Sequence, residues 1–195
     1  MRSNPNYQEI RDRHYIPNRG AVGQQLHYLV ILDREIVGII SAGAAAYAVS
    51  CRDDFFGITK ENRNPALNSI VDNTVFRLEK RLPNLGTQVL SMWRHRVEID
   101  WFQRYGVKVA GFETFIVETP QRVGAMYKAD NWTYVGRTAG STKFHNSGIE
   151  NVFERRETER KLVFCKWVNG GRLATEYYAN WNRPKVLRGQ ISLWE

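Results

Sequence analysis

Gly124-Ala-Met-Tyr-Lys-Ala-Asp-Asn-Trp-Thr-Tyr-Val-Gly136 is the stretch of sequence that decides the fold. Its first half favours a short helix, because small residues beside Met126 and Tyr127 allow close packing on a sheet. Asn131 ends this helix, since asparagine adopts the left-handed conformation at modest cost. The aromatic and β-branched residues that follow are typical of a strand, which closes at Gly136. The stretch therefore predicts a helix that turns at once into a strand, with the Tyr127 hydroxyl in a cleft.

Strands and helices are predicted to alternate along the rest of the chain. Predicted strands cover 26–32, 36 onward, 69–77, 109–117 and 161–168, and a turn at 169–171 leads into a last strand at 173–178. Predicted helices cover 85–93, 99–105 and 122–130, whereas 51–68 is predicted to be irregular with a short helix near 60–67. This order is typical of a mixed α/β fold around one central sheet, in which 69–117 forms a parallel crossover.

The size of the chain fits one domain, or one domain with a tail. It has 195 residues, 43% of them hydrophobic, with six tryptophans, which is enough apolar material for a core. We expect a core domain over 1–142, completed by a basic, aromatic, β-rich extension over 143–195.

Cysteine content and hydropathy exclude several classes of protein. Cys51 and Cys165 are the two cysteines of the chain and form no CxxC pair, so neither a disulfide framework nor a zinc site is expected. No stretch approaches the ~18 consecutive apolar residues that span a bilayer. The first fourteen residues are polar and charged, unlike a secretory signal. We therefore expect a cytoplasmic protein without a membrane partner.

Charge indicates a polyanionic partner. The net charge is +8, and 1–142 and 143–195 contribute +4 each, from 18 basic and 14 acidic residues and from 10 and 6. An excess of this size favours DNA as a partner, with RNA as the other nucleic acid it would suit. Simple solubility is the alternative explanation.

A loop before the helix at 85–93 is the predicted group-donor site. Free amides and the positive end of the helix would bind a phosphate or a carboxylate there. The predicted cofactor-binding residues are Arg81, Asn84, Leu85, Gly86 and Thr87. A capped helix with solvated cations is the alternative.

Six residues are candidates for catalysis, namely His14, Tyr15, Asp54, Glu113, Tyr127 and Asn131. A carboxylate inside an apolar strand, such as Glu113, is either a base with a raised pKa or the partner of a buried arginine. Tyr127 is either core or a proton donor, and Asp54 either accepts a proton from a base amine or pairs with Arg52. His14 and Asp54 are also weak candidates for metal ligands, although a histidine near a terminus more often packs or caps.

Cations and aromatic residues supply the predicted nucleic-acid contacts. The candidates are Arg94, Arg137, Lys143, Trp181, Arg183, Lys185 and Arg188. The tail residues among them would stack on a base or follow a backbone, as a base taken out of the duplex requires. A solvated helix face around Arg94, and strand packing or a homodimer contact in the tail, are the alternatives.

The loop and the helix–strand stretch resemble the GNAT superfamily of acetyltransferase-like proteins. Arg81, Asn84 and Gly86 stand at the three main positions of the loop that holds the coenzyme A pyrophosphate in that family, with Asn84 in place of its first glycine. The resemblance implies acetyl-CoA, or another acyl or carboxyl donor, as cofactor. An acetyltransferase for a small amine or a protein is therefore one reading of the chain.

A closer resemblance, over roughly residues 14–142, is to the DruA-like family of Druantia anti-phage systems. It rests on His14-Tyr15, 20–28, Arg52-Asp53-Asp54, Asn84-Leu85, Tyr105-Gly106, Glu113-Thr114-Phe115, and 127–136 followed by Thr138. The chain is more distantly similar to the Mom family of phage DNA-modification proteins, which implies base modification and leaves iron open as a cofactor. Together these resemblances imply a GNAT-like transferase acting on a DNA base, or a DNA-binding accessory protein without catalysis.

Overall fold

The computed structural model describes residues 4–16, 23–145 and 153–175, with the backbone alone over 141–145 and 153–157. The helices are α1 Pro5–Asp12, α2 Ser50–Phe56, α3 Arg63–Asn68, α4 Leu85–Tyr105 and α5 Ala125–Ala129. The strands are β1 Gln25–Leu32, β2 Glu35–Ala44, β3 Ile70–Leu78, β4 Gly111–Val117, β5 Thr133–Arg137, β6 Ser141–His145, β7 Phe153–Glu157 and β8 Lys161–Trp167.

Six strands form one mixed sheet in the order β1-β2-β3-β4-β8-β5. β3 and β4 pair in parallel across α4, and the other neighbours pair antiparallel. β8 comes late in the chain but lies between β4 and β5, and β6 and β7 form a separate hairpin. The predicted mixed α/β class and the predicted parallel crossover are therefore confirmed.

β3 and β4 part soon after their pairing begins. The parallel ladder between them has three residue pairs, and it ends where Asp72 faces Glu113. Immediately beyond Asp72, β3 holds one residue more than β2 opposite it, because Ser41 faces Val75 while Gly43 faces Asp72. Such a bulge bends its strand. β3 therefore turns away from β4 and leaves an opening in the middle of the sheet.

Two apolar layers cover the sheet. Along β8, Leu162 and Phe164 pack with α4 and α5, whereas Val163 and Cys165 pack with α2 and α3. Alternate residues of a strand point to opposite faces, so the two groups of helices lie on opposite sides of the sheet. α1 packs on β2 and β3 through Tyr7 and Ile10, which brings the segment after α1 close to the opening.

The helices differ from the sequence-based expectation in three places. The predicted runs 85–93 and 99–105 are one 21-residue helix, α4, which ends at Gly106 in the left-handed conformation. α2 was not predicted, because two of its buried residues are Arg52 and Asp53, so it lacks an apolar period. The predicted helix 122–130 is wrong at its start, since Arg122 lies in a turn and α5 covers five residues.

The decisive stretch folds as predicted at its centre. α5 is followed by Asn131 with φ of 58°, in the left-handed region, and Trp132 is buried before β5 begins. The turn at 169–171 is present, but no strand follows it within 171–175, and the rest of the predicted strand 173–178 lies outside the described residues. Among the helices that the structure describes, none has the length and apolar character needed to cross a bilayer.

Candidate functional site

A cleft of about 490 Å³ lies where β3 and β4 part. Its walls are the outer halves of these strands, the segment after α1, and the turn that leads into α5. The polar side chains that matter for its chemistry are those of His14, Tyr15, Asn73, Arg77, Arg122 and Tyr127. The structure therefore brings together three of the predicted catalytic residues, His14, Tyr15 and Tyr127.

The Tyr127 hydroxyl is held in the wall of the cleft by the parted strands. It donates a hydrogen bond to Oδ1 of Asn73 on β3 at 2.7 Å, and it accepts one from Oγ1 of Thr114 on β4 at 3.4 Å. Burial raises the pKa of Tyr127 well above its usual value. The phenol therefore stays protonated and connects the two strands across the opening instead of acting as a base.

His14 is a neutral imidazole beside the cleft. Its Nδ1 lies 3.2 Å from the backbone nitrogen and 3.4 Å from the carbonyl oxygen of Ile16, so the tautomer of the neutral ring depends on which of the two Nδ1 binds. Burial first, and nearby arginines second, lower the pKa of His14 to about 4. The ring of Tyr15 lies 4.6 Å from that of His14, and the Arg122 guanidinium lies 4.0 Å above the Tyr15 ring. Near pH 7 His14 can therefore donate a hydrogen bond but is a weak base.

The charge lining the cleft is positive. Among the described residues that line it, none is aspartate or glutamate, and two are arginines. Arg77 is partly committed, because its Nε pairs with Glu79 and its Nη1 donates to the carbonyl of Arg13. The exposed Arg122 lies on an aromatic ring. An anionic group entering the cleft would meet cations and polar hydrogen, with no carboxylate to repel it.

The predicted cofactor loop lies beside the cleft but does not line it. Arg81 and Asn84 are exposed, and Leu85 is buried in the core. Asn84 precedes α4 in the left-handed conformation, and its side chain makes no capping hydrogen bond. A Cβ built on Gly86 would lie 2.6 Å from Sδ of Met126, so the Met126 side chain packs directly against this glycine. Thr87 uses its hydroxyl to bind the carbonyl of Asn84.

A buried ionic cluster lies behind the apex of the opening. The fully buried Arg52 pairs with Glu113, binds Asp53 at 2.7 Å, and donates to the carbonyl of Ala46 at 2.6 Å. The backbone N–H of Ala46 donates to the second oxygen of Glu113. Nη1 of Arg63 binds the other carboxylate oxygen of Asp53 at 2.6 Å. Burial raises the pKa of Glu113 to about 7, although Arg52 opposes this rise. Glu113 is thus both the partner of a buried arginine and a carboxyl with a raised pKa.

Asp72 adds one more carboxyl to this region. It faces Glu113 in the last pair of the parallel ladder, and its Oδ1 has no hydrogen-bond partner within the described part of the chain. Burial, and then the charge of Glu113, raise the pKa of Asp72 well above its usual value. Asp72 is therefore neutral in the fold until the pH rises above that raised value.

A second cavity, of about 1000 Å³, borders α2. We call it the α2 cavity. The lining residues that carry its chemistry are Cys51, Asp54, Lys60, Phe115, Arg137 and Lys161. The predicted catalytic residue Asp54 lies here, in a different cavity from His14. The two weak candidates for a metal site are therefore apart, and the described residues contain no group of three or more His, Cys, Asp or Glu that could hold a metal. These residues do not fit an iron centre.

The other predicted site residues lie apart from the cleft. Asn131 is exposed at the turn after α5, and its carbonyl accepts from Lys166. Arg94 is held by both carboxylate oxygens of Asp130 at 2.8 Å, and Arg137 is held in the same way by Glu118 at 2.9 Å. The structure describes neither the side chain of Lys143 nor the tail residues Trp181, Arg183, Lys185 and Arg188.

Sequence reasoning missed Asn73, Arg77, Phe115 and Arg122. The polar run Asp72-Asn73-Thr74 inside a strand was the available signal. In the structure Asn73 is buried, and its amide donates to Ser41 and accepts from Tyr127. Arg77 and Arg122 belong to segments distant in the sequence. They face one cleft because the ends of β3 and of the turn before α5 meet at the opening.

Comparison with known families assigns the chain. The family described as Druantia protein DruA matches residues 2–177, so the chain belongs to the DruA family. The matched range is longer than residues 14–142, over which the sequence alone resembled this family. The family ties the chain to anti-phage defence. A search of curated proteins found no significant match.

The solved structures to which the chain is similar include acetyltransferases. RimL, the ribosomal L7/L12 alpha-N-protein acetyltransferase, shares 12% identity over 74% of this chain and 70% of its own, with a TM-score of 0.44. Aminoglycoside acetyltransferase AAC(6')-Ib in complex with coenzyme A shares 11% over 74% and 67%, with a TM-score of 0.46. A GNAT-family acetyltransferase from Streptococcus pneumoniae shares 16% over 74% and 67%, with a TM-score of 0.42.

Proposed function

We propose that this protein is a GNAT-like transferase that modifies a base of nucleic acid, DNA in the first instance, in anti-phage defence. The observation that carries the proposal is the cleft between β3 and β4, which is open, cationic, and lined by no described carboxylate. The family assignment supports the defence setting, and the net charge of +8 supports a nucleic-acid substrate.

The group donor fits the cleft as an activated acyl or carboxyl group on an anionic carrier. Arg122 and Arg77 supply cations for the carrier, and the first amides of α4 lie next to the cleft behind Met126. The N–H of Leu85 already donates to the carbonyl of Leu82, so a phosphate would meet the next amides of the helix, beside Met126. Acetyl-CoA belongs to this class of donor, and the amides and arginines would hold its phosphates.

The chemistry asked of the cleft is transfer of the group to a base nitrogen. A bond forms between that nitrogen and the acyl carbon, the bond from the carbon to the carrier breaks, and the carrier leaves with the electron pair. The nitrogen then loses a proton. His14, as a neutral hydrogen-bond donor, suits the stabilisation of negative charge on the acyl oxygen better than it suits the removal of this proton.

Mass analysis of nucleosides tests the proposal directly. DNA and RNA from cells that express the chain are digested to nucleosides, and the masses are compared with those from cells without it. We expect a new nucleoside with the wild type and with Lys108→Gln, an exposed cation outside the cleft, and a strong loss with Arg122→Gln. Unchanged nucleosides with the wild type, under conditions in which defence is active, would refute the proposal.

A non-catalytic nucleic-acid-binding protein is the second candidate. Two observations favour it, namely the Met126 side chain packed against Gly86 at the start of α4 and the absence of a carboxylate base among the described lining of the cleft. This candidate predicts salt-dependent DNA binding by the purified chain without any altered nucleoside. Loss of defence in Arg122→Gln with unchanged nucleoside masses would support it over the transferase.

A further inference from the structure

The cleft and the α2 cavity meet at one side chain. Phe115 lines both of them, and it stands on β4 two residues beyond Glu113, where the parallel ladder ends. No β3–β4 pairing is present at this level among the described residues, so the ring is the contact between the two spaces. A ligand in either cavity would therefore contact Phe115.

The α2 cavity offers free charge of both signs. Asp53 and Arg63 are bound to each other and to Arg52, so they are committed to the fold. In contrast, the exposed side chains of Asp54 and Lys60 make no hydrogen bond or ion pair with any residue that the structure describes. Lys161, which is half-buried, adds a second cation to the wall, and the exposed Glu159 adds a second carboxylate.

We propose that the α2 cavity is the acceptor site and binds a nucleotide whose base carries an exocyclic amino group. This inference rests on the proposed function and names its substrate. A carboxylate such as Asp54 accepts a hydrogen bond from a base amine, which thymine does not offer. Lys60 and Lys161 match the phosphates that accompany the base. For transfer, the amine passes the edge of Phe115 to reach the acyl carbon of the donor in the cleft, and Asp54 takes the proton that the nitrogen releases.

The single accessible cysteine makes the site measurable. Cys51 lines the α2 cavity and is half-buried, whereas Cys165 is fully buried, so a maleimide added to the folded chain labels Cys51 first. A ligand in the cavity slows this labelling. The rate is measured on the full chain with single-stranded oligo(dA), oligo(dC) and oligo(dT) of equal length, and Cys51→Ser confirms the labelled position.

We expect oligo(dA) or oligo(dC) to slow the labelling at least fivefold more than oligo(dT) does. Asp54→Ala is expected to abolish that difference between bases, and Lys60→Gln to weaken protection by all of them. Lys108→Gln, an exposed cation away from both cavities, serves as the matched control and keeps the wild-type pattern. Equal protection by the three oligomers, or none by any of them, would overturn the assignment.

The outcome separates this inference from the proposed function. Base-selective protection of Cys51 without any altered nucleoside would keep the nucleotide site and reject the transferase. An altered nucleoside whose formation survives Asp54→Ala, without protection of Cys51, would keep the transferase and place its acceptor elsewhere.

Discussion

Replacement of Arg52 by methionine tests the ionic cluster behind the cleft. The guanidinium is fully buried and is bound by Glu113, by Asp53 and by the carbonyl of Ala46. Methionine keeps most of the length and removes the charge. After the substitution, the N–H of Ala46 is the one remaining hydrogen-bond donor to the buried Glu113 among those described above. The loss of stability therefore comes mainly from a buried carboxylate without a compensating charge.

The expected loss of stability is large compared with the total free energy of unfolding. Removing one partner of a buried ion pair costs about 3–5 kcal/mol of the free energy of unfolding, which for a domain is about 5–15 kcal/mol in total. Arg63→Met is the matched control, since Arg63 also pairs with Asp53 but its side chain is 18% exposed. We expect that control to cost roughly 1 kcal/mol.

The cost depends on pH in a defined direction. Burial raises the pKa of Glu113 to about 7, above its ordinary value, so the folded protein binds this proton more tightly than the unfolded chain. The resulting stability is present below the ordinary value and is lost as the pH rises through about 7. Removing Arg52, whose charge lowers this pKa, raises it further. The variant is therefore expected to lose little at pH 5 and most at pH 8.

Urea unfolding at pH 5 and pH 8 measures both effects. If Arg52→Met cannot be purified, Glu113→Gln replaces it, with an expected cost of about 1–3 kcal/mol, because the amide still accepts from Arg52. A cost below 1 kcal/mol for Arg52→Met at pH 8, or one that does not grow between the two pH values, would refute the reasoning.

Three further substitutions have expected outcomes. Asp72→Asn removes a carboxyl whose pKa is raised by burial and by Glu113, so in urea unfolding its advantage over the wild type should grow as the pH rises above the ordinary carboxyl pKa. Gly124→Ala should cost about 2–4 kcal/mol in the same assay, since φ is 73° and the new Cβ would lie 2.3 Å from the ring of Phe164; a neutral result would contradict the packing. Asp130→Ala frees the guanidinium of Arg94 and should cost about 2 kcal/mol in thermal unfolding, with Lys128→Ala as an exposed control.

Local signals predicted much of the fold. Asn131 in the left-handed conformation and the apolar strands β3, β4 and β8 follow from residue type and spacing alone. α2 could not be predicted in this way, because it buries Arg52 and Asp53, and the partner that compensates Arg52 is Glu113, 61 residues away in the chain. The position of β8 between β4 and β5 also rests on long-range pairing.

The candidate site was predicted in part. His14, Tyr15 and Tyr127 do meet in one cleft, but Asp54 went to the other cavity together with α2, whose helical structure was not predicted. Arg122 was not predicted as a site residue, because the predicted helix began too early in the chain and placed Arg122 on a helix face. No local signature marks a side chain that acts at the opening, because the opening itself arises from a bulge in β3 opposite Ala42.

The short parallel ladder has a mechanical consequence. With three residue pairs joining them, β1-β2-β3 and β4-β8-β5 are two three-stranded antiparallel plates that share a narrow seam. Rotation of one plate against the other would change the width of the opening while leaving every antiparallel ladder intact. Amide hydrogen exchange near Val71 and Phe112 would then report on binding in the opening between β3 and β4, even though neither residue lines it.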